Sequence, residues 1–180
     1  MLGVPPSGVL PQLVKAVAVS KPRRDSWLVE ELLDALIPLD ENVEVTRTRF
    51  PGVLVVVSEK LTPRDVARAA LRVELSFMSR LVPAMVSLEA EREEQVVEAL
   101  LDILGRSGVG EVRLEAVIRG EGKRVVTEAM VREALVKAGL RLATSSKKIL
   151  ALESIDKLFI AAIGEARRCG LNCKLINPEL

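Results

Sequence analysis

The residues able to do chemistry are defined first by what is missing. The chain has no histidine and no tyrosine. That removes the Ser-His-Asp and Cys-His arrangements and every histidine metal ligand. Its two cysteines, Cys169 and Cys173, stand four apart near the end of the sequence. Two thiolates do not close a zinc site, and the spacing is not the Cys-x-x-Cys of redox proteins. They read either as ordinary tail residues or as a tail disulfide. Glu93, Glu94 and Glu98 share a charged helical face and read as solvated, not as an acid/base pair. Nothing resembles a cofactor fingerprint, and the G-x-x-x-x-G-K-[ST] spacing of a P-loop is absent. No cofactor and no metal are therefore expected, and the chain is expected not to be an enzyme.

The cations carry more information. Lys and Arg total 26 against 25 Asp and Glu, a net charge of +1. The charges are segregated, however. Residues 91–102 hold Glu91, Glu93, Glu94, Glu98 and Asp102 against Arg92 alone, while residues 119–148 are predominantly basic. A local basic field can steer a polyanion although the total is near zero. Within Arg119-Gly120-Glu121-Gly122-Lys123-Arg124, flexible glycines and clustered cations precede a helix start at Thr127 and make a plausible phosphate seat. This turn is expected to matter for affinity and not for folding. Arg47 and Arg49, two apart on one expected strand, should point to one face. Lys147-Lys148 opens another strand, and Arg167-Arg168 and Lys174 mark the tail. Aromatic residues are only Trp27, Phe50, Phe77 and Phe159. A sheet-borne stacking platform is not expected, which leaves phosphates, 2′-OH groups and shape for any RNA recognition.

The elements that must position these residues follow from pattern. The chain has 180 residues, 49% of them hydrophobic and 28% charged, room for one domain or two small ones of about 80 to 100 residues. Residues 1–13 read as an irregular proline- and glycine-bearing arm. Val14–Ser20 is a strand. A helix capped by Asp25 or Ser26 carries Leu28, Val29, Leu32, Leu33 and Leu36 at helical spacing and ends at Pro38. Val43–Phe50 and Val53–Val57 form a hairpin about Pro51-Gly52. Thr62-Pro63-Arg64-Asp65 opens a helix with Val66, Ala69, Ala70 and Val73 as its buried stripe. Leu81–Leu88 is a strand with Pro83 marking an edge or bulge. A second unit follows: a helix over Glu91–Leu104 closed by Gly105, an alternating strand over Glu111–Ile118, a basic loop over Arg119–Val126, a Thr127-capped helix closed by Gly139, and strands at Ile149–Leu152 and Leu158–Ile163. The fold expected is α+β: a ferredoxin-like β-α-β-β-α-β lobe over 14–88, an α-β-α-β-β lobe over 89–165, and a tail over 166–180.

The depleted amides (Gln12, Gln95, Asn42, Asn172 and Asn177) suggest a heat-stable protein. No apolar run approaches the ~18 residues that span a bilayer. The start lacks a signal-peptide pattern, so a cytoplasmic protein without a membrane partner is expected.

The stretch EVRLEAVIRGEGKRVVTEAMVREALVKAGLRLATSSKKILALESIDKLFIAAI resembles a THUMP domain, a module of tRNA-modifying systems. The likeness is read over residues 81–163, and the family's own convention starts the domain near 65. Arg119, Lys123 and Arg124 match the family's basic turn and Thr127 its helix cap. Lys147 and Lys148 fall where the family has a basic residue before Leu-x-Asn-Pro. Here Ser145-Ser146 precede the lysines, the Asn-Pro is missing, and so is the family's common histidine. Arg49-Phe50-Pro51-Gly52-Val53, Leu61-Thr62-Pro63 and Arg80-Leu81-Val82-Pro83 are similar to stand-alone THUMP proteins that assist tRNA cytidine acetylation. The resemblance implies a non-catalytic adaptor that binds the acceptor end of tRNA and presents it to a cytidine acetyltransferase. The implied RNA-binding residues are Arg47, Arg49, Arg80, Arg119, Lys123, Arg124, Thr127, Lys147 and Lys148. A stand-alone RNA-modifying enzyme and a protein-interaction scaffold without RNA are the competing readings.

Overall fold

The computed structural model describes residues 9–178; most of the expected N-terminal arm, residues 1–8, lies outside them. A short 3-10 turn at Pro11–Leu13 leads into β1 (Val14–Ser20). Helix α1 (Asp25–Leu36) buries Leu28, Leu32 and Leu36. Its N-cap is Arg24, which makes no side-chain cap, so neither Asp25 nor Ser26 plays the capping role expected of it. The β2 (Glu44–Arg47)–β3 (Val53–Val57) hairpin forms as the Pro-Gly turn requires. Its first strand stops at Arg47 because the Thr48 hydroxyl donates to the Val53 carbonyl at 2.9 Å and folds the chain over, with Gly52 at φ +75°. Helix α2 (Pro63–Arg72) starts with a reciprocal Thr62–Asp65 capping box. Val73, expected on its buried stripe, is the C-cap and 42% exposed.

The expected single strand 81–88 is two. β4 (Met78–Pro83) lies inside the sheet with Pro83 paired to Ala16, and β5 (Val86–Glu89) pairs only with β9. Proline cannot extend the ladder, so it ends β4 rather than marking an edge. Helix α3 (Glu93–Ser107) runs through Gly105 and closes at Gly108, which takes the left-handed conformation at φ +67°. Then come β6 (Glu111–Val117), the one-turn α4 (Gly122–Val125) within the expected basic loop, α5 (Glu128–Lys137), the two-residue β7 (Arg141–Leu142), β8 (Lys148–Ile155) and β9 (Leu158–Arg168).

The expected tail contains a central strand. β10 (Lys174–Pro178) lies between β4, parallel to it, and β9, antiparallel to it. The sheet order is β2-β3-β1-β4-β10-β9-β8-β6-β7. A Cys169–Cys173 disulfide closes the turn from β9 to β10, and both cysteines are buried among the residues under α1 and α2. The expected α+β class and the initial β-α-β-β-α-β order are therefore present.

Two helix-covered cores lie on the sheet. Leu28, Leu32, Leu54 and Leu81 pack beneath α1 and α2. Val96, Leu100, Val131, Leu135 and Phe159 pack beneath α3 and α5. A third cluster joins Val17, Val53 and Val55 to Ile155 and Ile160. The sheet therefore coils back so that the β8–β9 end covers the rear of β1 and β3. That coiling brings together side chains far apart along the sheet.

Candidate nucleic-acid interface

The β8–β9 turn is where the two halves of the chain meet. Asp156, at φ +53°, accepts from the Arg49 guanidinium, with Nε at 2.8 Å, and from the Glu121 amide at 3.0 Å. Arg49 holds the Asp156 carboxyl below the usual carboxylate range, against the effect of burial, and also lies 4.4 Å over the Phe50 ring. Ser154 ties the same turn from β8: the Arg119 amide donates to its hydroxyl at 2.8 Å. The two glycines of the basic turn are needed for close approach, not for flexibility. A Cβ on Gly120 would stand 2.1 Å from Asp156 Oδ1 and 2.4 Å from Arg49 Nη2. One on Gly122 would stand 2.6 Å from the Asp156 carbonyl.

Beneath this turn lies an ion network. The Glu153 side chain on β8 is 0% exposed and accepts from Arg80 Nε at 2.9 Å and from Arg119 Nη1. Arg80 Nη1 also donates to Glu115 Oε2 at 2.8 Å. Lys174 of β10 and Arg113 pair with the other Glu115 oxygen. Burial raises the Glu115 carboxyl pKa, but hydrogen bonds from Lys174 and Arg80 outweigh it and bring the value from 4.5 down to about 2. The linkage has a definite sign. A depressed carboxylate stabilises the fold above its unfolded value, and that stability is lost as the pH falls through the folded value. Acid titration of the melting temperature should thus show a component lost between about pH 4.5 and about pH 2. Glu115→Gln should remove that component, and an unchanged acid limb would disprove it.

The structure places the sequence-derived candidates in distinct settings. Arg80, Arg119 and Arg49 are brought together around the β8–β9 turn, each paired with a carboxylate, although Arg80 Nη2 is buried without a hydrogen-bond partner among the described residues. The expectation that the basic turn is separable from folding is thus corrected for Arg119, whose partner is a fully buried charge. Lys123 and Arg124 project from α4, exposed, with no ion-pair partner among the described residues. Thr127 caps α5 by accepting from the Met130 amide at 3.3 Å. Arg47 and Arg49 do not share a face. Arg47 pairs with Asp25 at 3.2 Å and donates to Ser26 Oγ, because β2 ends there and Arg49 belongs to the turn. Lys147 is exposed at the opposite end of β8, and Lys148 pairs with Glu165 at 3.9 Å. At about 3.3 Å per residue the length of β8 puts these lysines roughly 25 to 30 Å from Asp156.

Sequence reasoning passed over Asp156, Ser154, Glu153, Glu115 and the pairing of Lys174. One signal was available: an acid inside the apolar run Ile149-Leu150-Ala151-Leu152-Glu153 is rarely buried without a cationic partner.

No protein-family model and no curated protein matches the sequence. Solved structures match its shape. PH1313 from Pyrococcus horikoshii Ot3 superposes with a TM-score of 0.63 at 16% identity, over 84% of this chain and 55% of that one. A 4-thiouridine synthetase solved with RNA and bound ATP gives 0.51 at 12% identity, over 84% of this chain and 42% of that one. A predicted N6-adenine-specific DNA methylase from Listeria monocytogenes str. 4b F2365 gives 0.52 at 12% identity, over 85% and 40%. The fold is THUMP-like. This chain spans 40% to 55% of the length of these proteins, and identities this low speak to the fold alone. The synthetase and the methylase nevertheless correct one expectation. This THUMP-like fold occurs within enzymes, so the missing histidine and catalytic constellation do not make the chain a non-enzyme. Among the described residues, no helix is long and apolar enough to cross a membrane.

Proposed function

We propose that this chain binds tRNA and holds its acceptor end for a modification reaction. The observation that carries the reading is the pair Lys123 and Arg124: two exposed cations without carboxylate partners among the described residues, on a helical turn that Gly120 and Gly122 seat firmly against Asp156 and Ser154. Phosphate contacts need mobile charge on a rigid base, because they position the nucleic acid without reading its sequence. The THUMP-like fold, shared with a synthetase solved with RNA, supports the same reading. In it the lobes over 14–88 and 89–165 act together. Arg49, Arg80 and Arg119 stiffen their junction, Thr127 fixes the helix behind the turn, and Lys123, Arg124 and Lys147 meet phosphates. Arg47 and Lys148, already paired, extend the positive field. The finer reading, a cytidine as the modified nucleotide and an acetyltransferase as partner, rests on the sequence resemblance. Acetylcytidine yield from tRNA, acetyl-CoA and an acetyltransferase should rise when this chain is added, and an unchanged yield would refute it.

Each phosphate contact contributes about 0.7 to 0.9 to the slope of log affinity against log salt. Filter binding of total tRNA by the Lys123→Ala/Arg124→Ala variant should therefore show a slope shallower by about 1.4 to 1.8, with the melting temperature unchanged. A folded variant with wild-type affinity and slope would remove the turn from the interface.

A further inference from the structure

The tertiary structure builds an aromatic platform on the first lobe. Trp27, on the first turn of α1, is 53% exposed. Its ring lies 5.7 Å from that of Phe77, tilted by 36°. Phe77 is held under it by a clamp on residues 76–77. The Glu31 carboxylate accepts from the Ser76 amide at 2.7 Å and from the Phe77 amide at 3.0 Å. The Lys21 ammonium donates to the Ser76 carbonyl at 2.6 Å, and the Lys21 amide to the Phe77 carbonyl at 2.8 Å. A tryptophan kept half in water on so firm a base is not explained by packing.

Cations precede Trp27 and acids follow it along α1: Arg23 and Arg24 on one side, Glu30 and Glu31 on the other, with the Glu31 carboxylate occupied by the Ser76 and Phe77 amides. Arg23, at φ +59°, and Arg24 stand within one turn of Trp27, both exposed and without an ion-pair partner among the described residues. The acid next to them, Asp25, is paired with Arg47. An exposed indole face beside unpaired guanidinium groups suits an unpaired nucleotide, whose base stacks while its phosphates meet the arginines. A protein partner's apolar side chain would gain nothing from those cations.

We propose that Trp27, Arg23 and Arg24 form a second RNA contact that takes a single-stranded nucleotide by stacking, independent of the phosphate contacts at Lys123 and Arg124. The proposal rests on the RNA-binding reading and is tested so that the two can fail separately. The chain contains one tryptophan and no tyrosine, so its ultraviolet emission reports on this platform alone. A labelled single-stranded RNA of about 12 nucleotides, within the usual site size, should quench that emission, and a blunt duplex of the same sequence should not. By anisotropy, Trp27→Ala should bind the single strand about tenfold more weakly, while Trp27→Phe keeps most of the affinity. Arg23→Ala/Arg24→Ala should lower the salt slope by about 1 to 1.5. RNA that binds by anisotropy without changing the emission, with Trp27→Ala as tight as wild type, overturns the platform and leaves tRNA binding standing. RNA that does not bind at all removes both. Emission that shifts on dilution of the protein without RNA assigns the surface to self-association and overturns the proposal.

Discussion

Glu153→Ala should lower the melting temperature by about 10 °C or more. Glu153 is fully buried and accepts from two guanidinium groups that approach from different parts of the chain, Arg80 on β4 and Arg119 after β6. Removing the fully buried partner leaves two mostly buried guanidinium groups, 19% and 16% exposed, without that carboxylate, and breaking a buried pair costs about 3–5 kcal/mol. In a chain of this size each kcal/mol moves the transition by about 2–4 °C. Arg80 keeps Glu115 as a partner, but Arg119 loses its one carboxylate among the described residues. Arg119→Ala should therefore cost less than Glu153→Ala, since Glu153 would still be met by Arg80. Thermal melts of the two variants measure this directly. A Glu153→Ala protein melting within a degree or two of wild type would mean that the network is solvated and that the two lobes are not joined through it.

Gly164→Ala should be the most damaging single methyl addition among the glycines of the described residues. A Cβ at Gly164 would stand 1.7 Å from the Asn177 carbonyl oxygen and 2.7 Å from its carbon, both backbone atoms of β10. No rotamer change relieves a clash with backbone, so β10 must move away from β9. Its ladder to β4 has only two pairs, Lys174↔Arg80 and Leu175↔Leu81, and gives little to resist the shift. Overpacking a well-filled site costs about 1–3 kcal/mol and occasionally more, and loss of β10 would place this substitution at the upper end. The expected signature is specific. Amide exchange should quicken in β10 and along β4, while α3 and α5 stay protected. Uniform protection with an unchanged melt would show that β9 and β10 can part without consequence.

Much of the local structure was legible from residue type and spacing. The four-residue spacing of Leu28, Leu32 and Leu36, the helix start at Thr62, the Pro51-Gly52 turn and the Thr127 cap are decided by neighbours within a few residues, and each occurs where expected. The misreadings come where a distant partner decides. Val43–Phe50 looks like one strand, but Thr48 bonds across the turn and ends it at Arg47. Leu81–Leu88 looks like one strand, but the chain bends after Pro83 and β5 leaves to pair with β9. Lys174–Pro178 looks like a tail, because five residues ending in proline carry no strand signal of their own. Only the open edges of β4 and β9 make it one.

The candidate site divides in the same way. Residue types and their spacing say which side chains can act: cations without histidine, glycines within a basic turn, a capped helix behind it. They do not say which cations stay available. Arg119 and Arg124 stand in the same hexapeptide, yet Arg119 is consumed by Glu153 while Arg124 has no partner among the described residues. Arg47 and Arg49 stand two apart, yet one serves α1 and the other the β8–β9 turn. A charge's partner is whatever the fold brings within a few ångströms, and here the coiling of the sheet brings β8 and its turn to β4 and the first hairpin. Charge pairing falls off within ångströms and is indifferent to separation along the chain, so only the tertiary structure could sort the cations that hold the fold from those left to meet a polyanion.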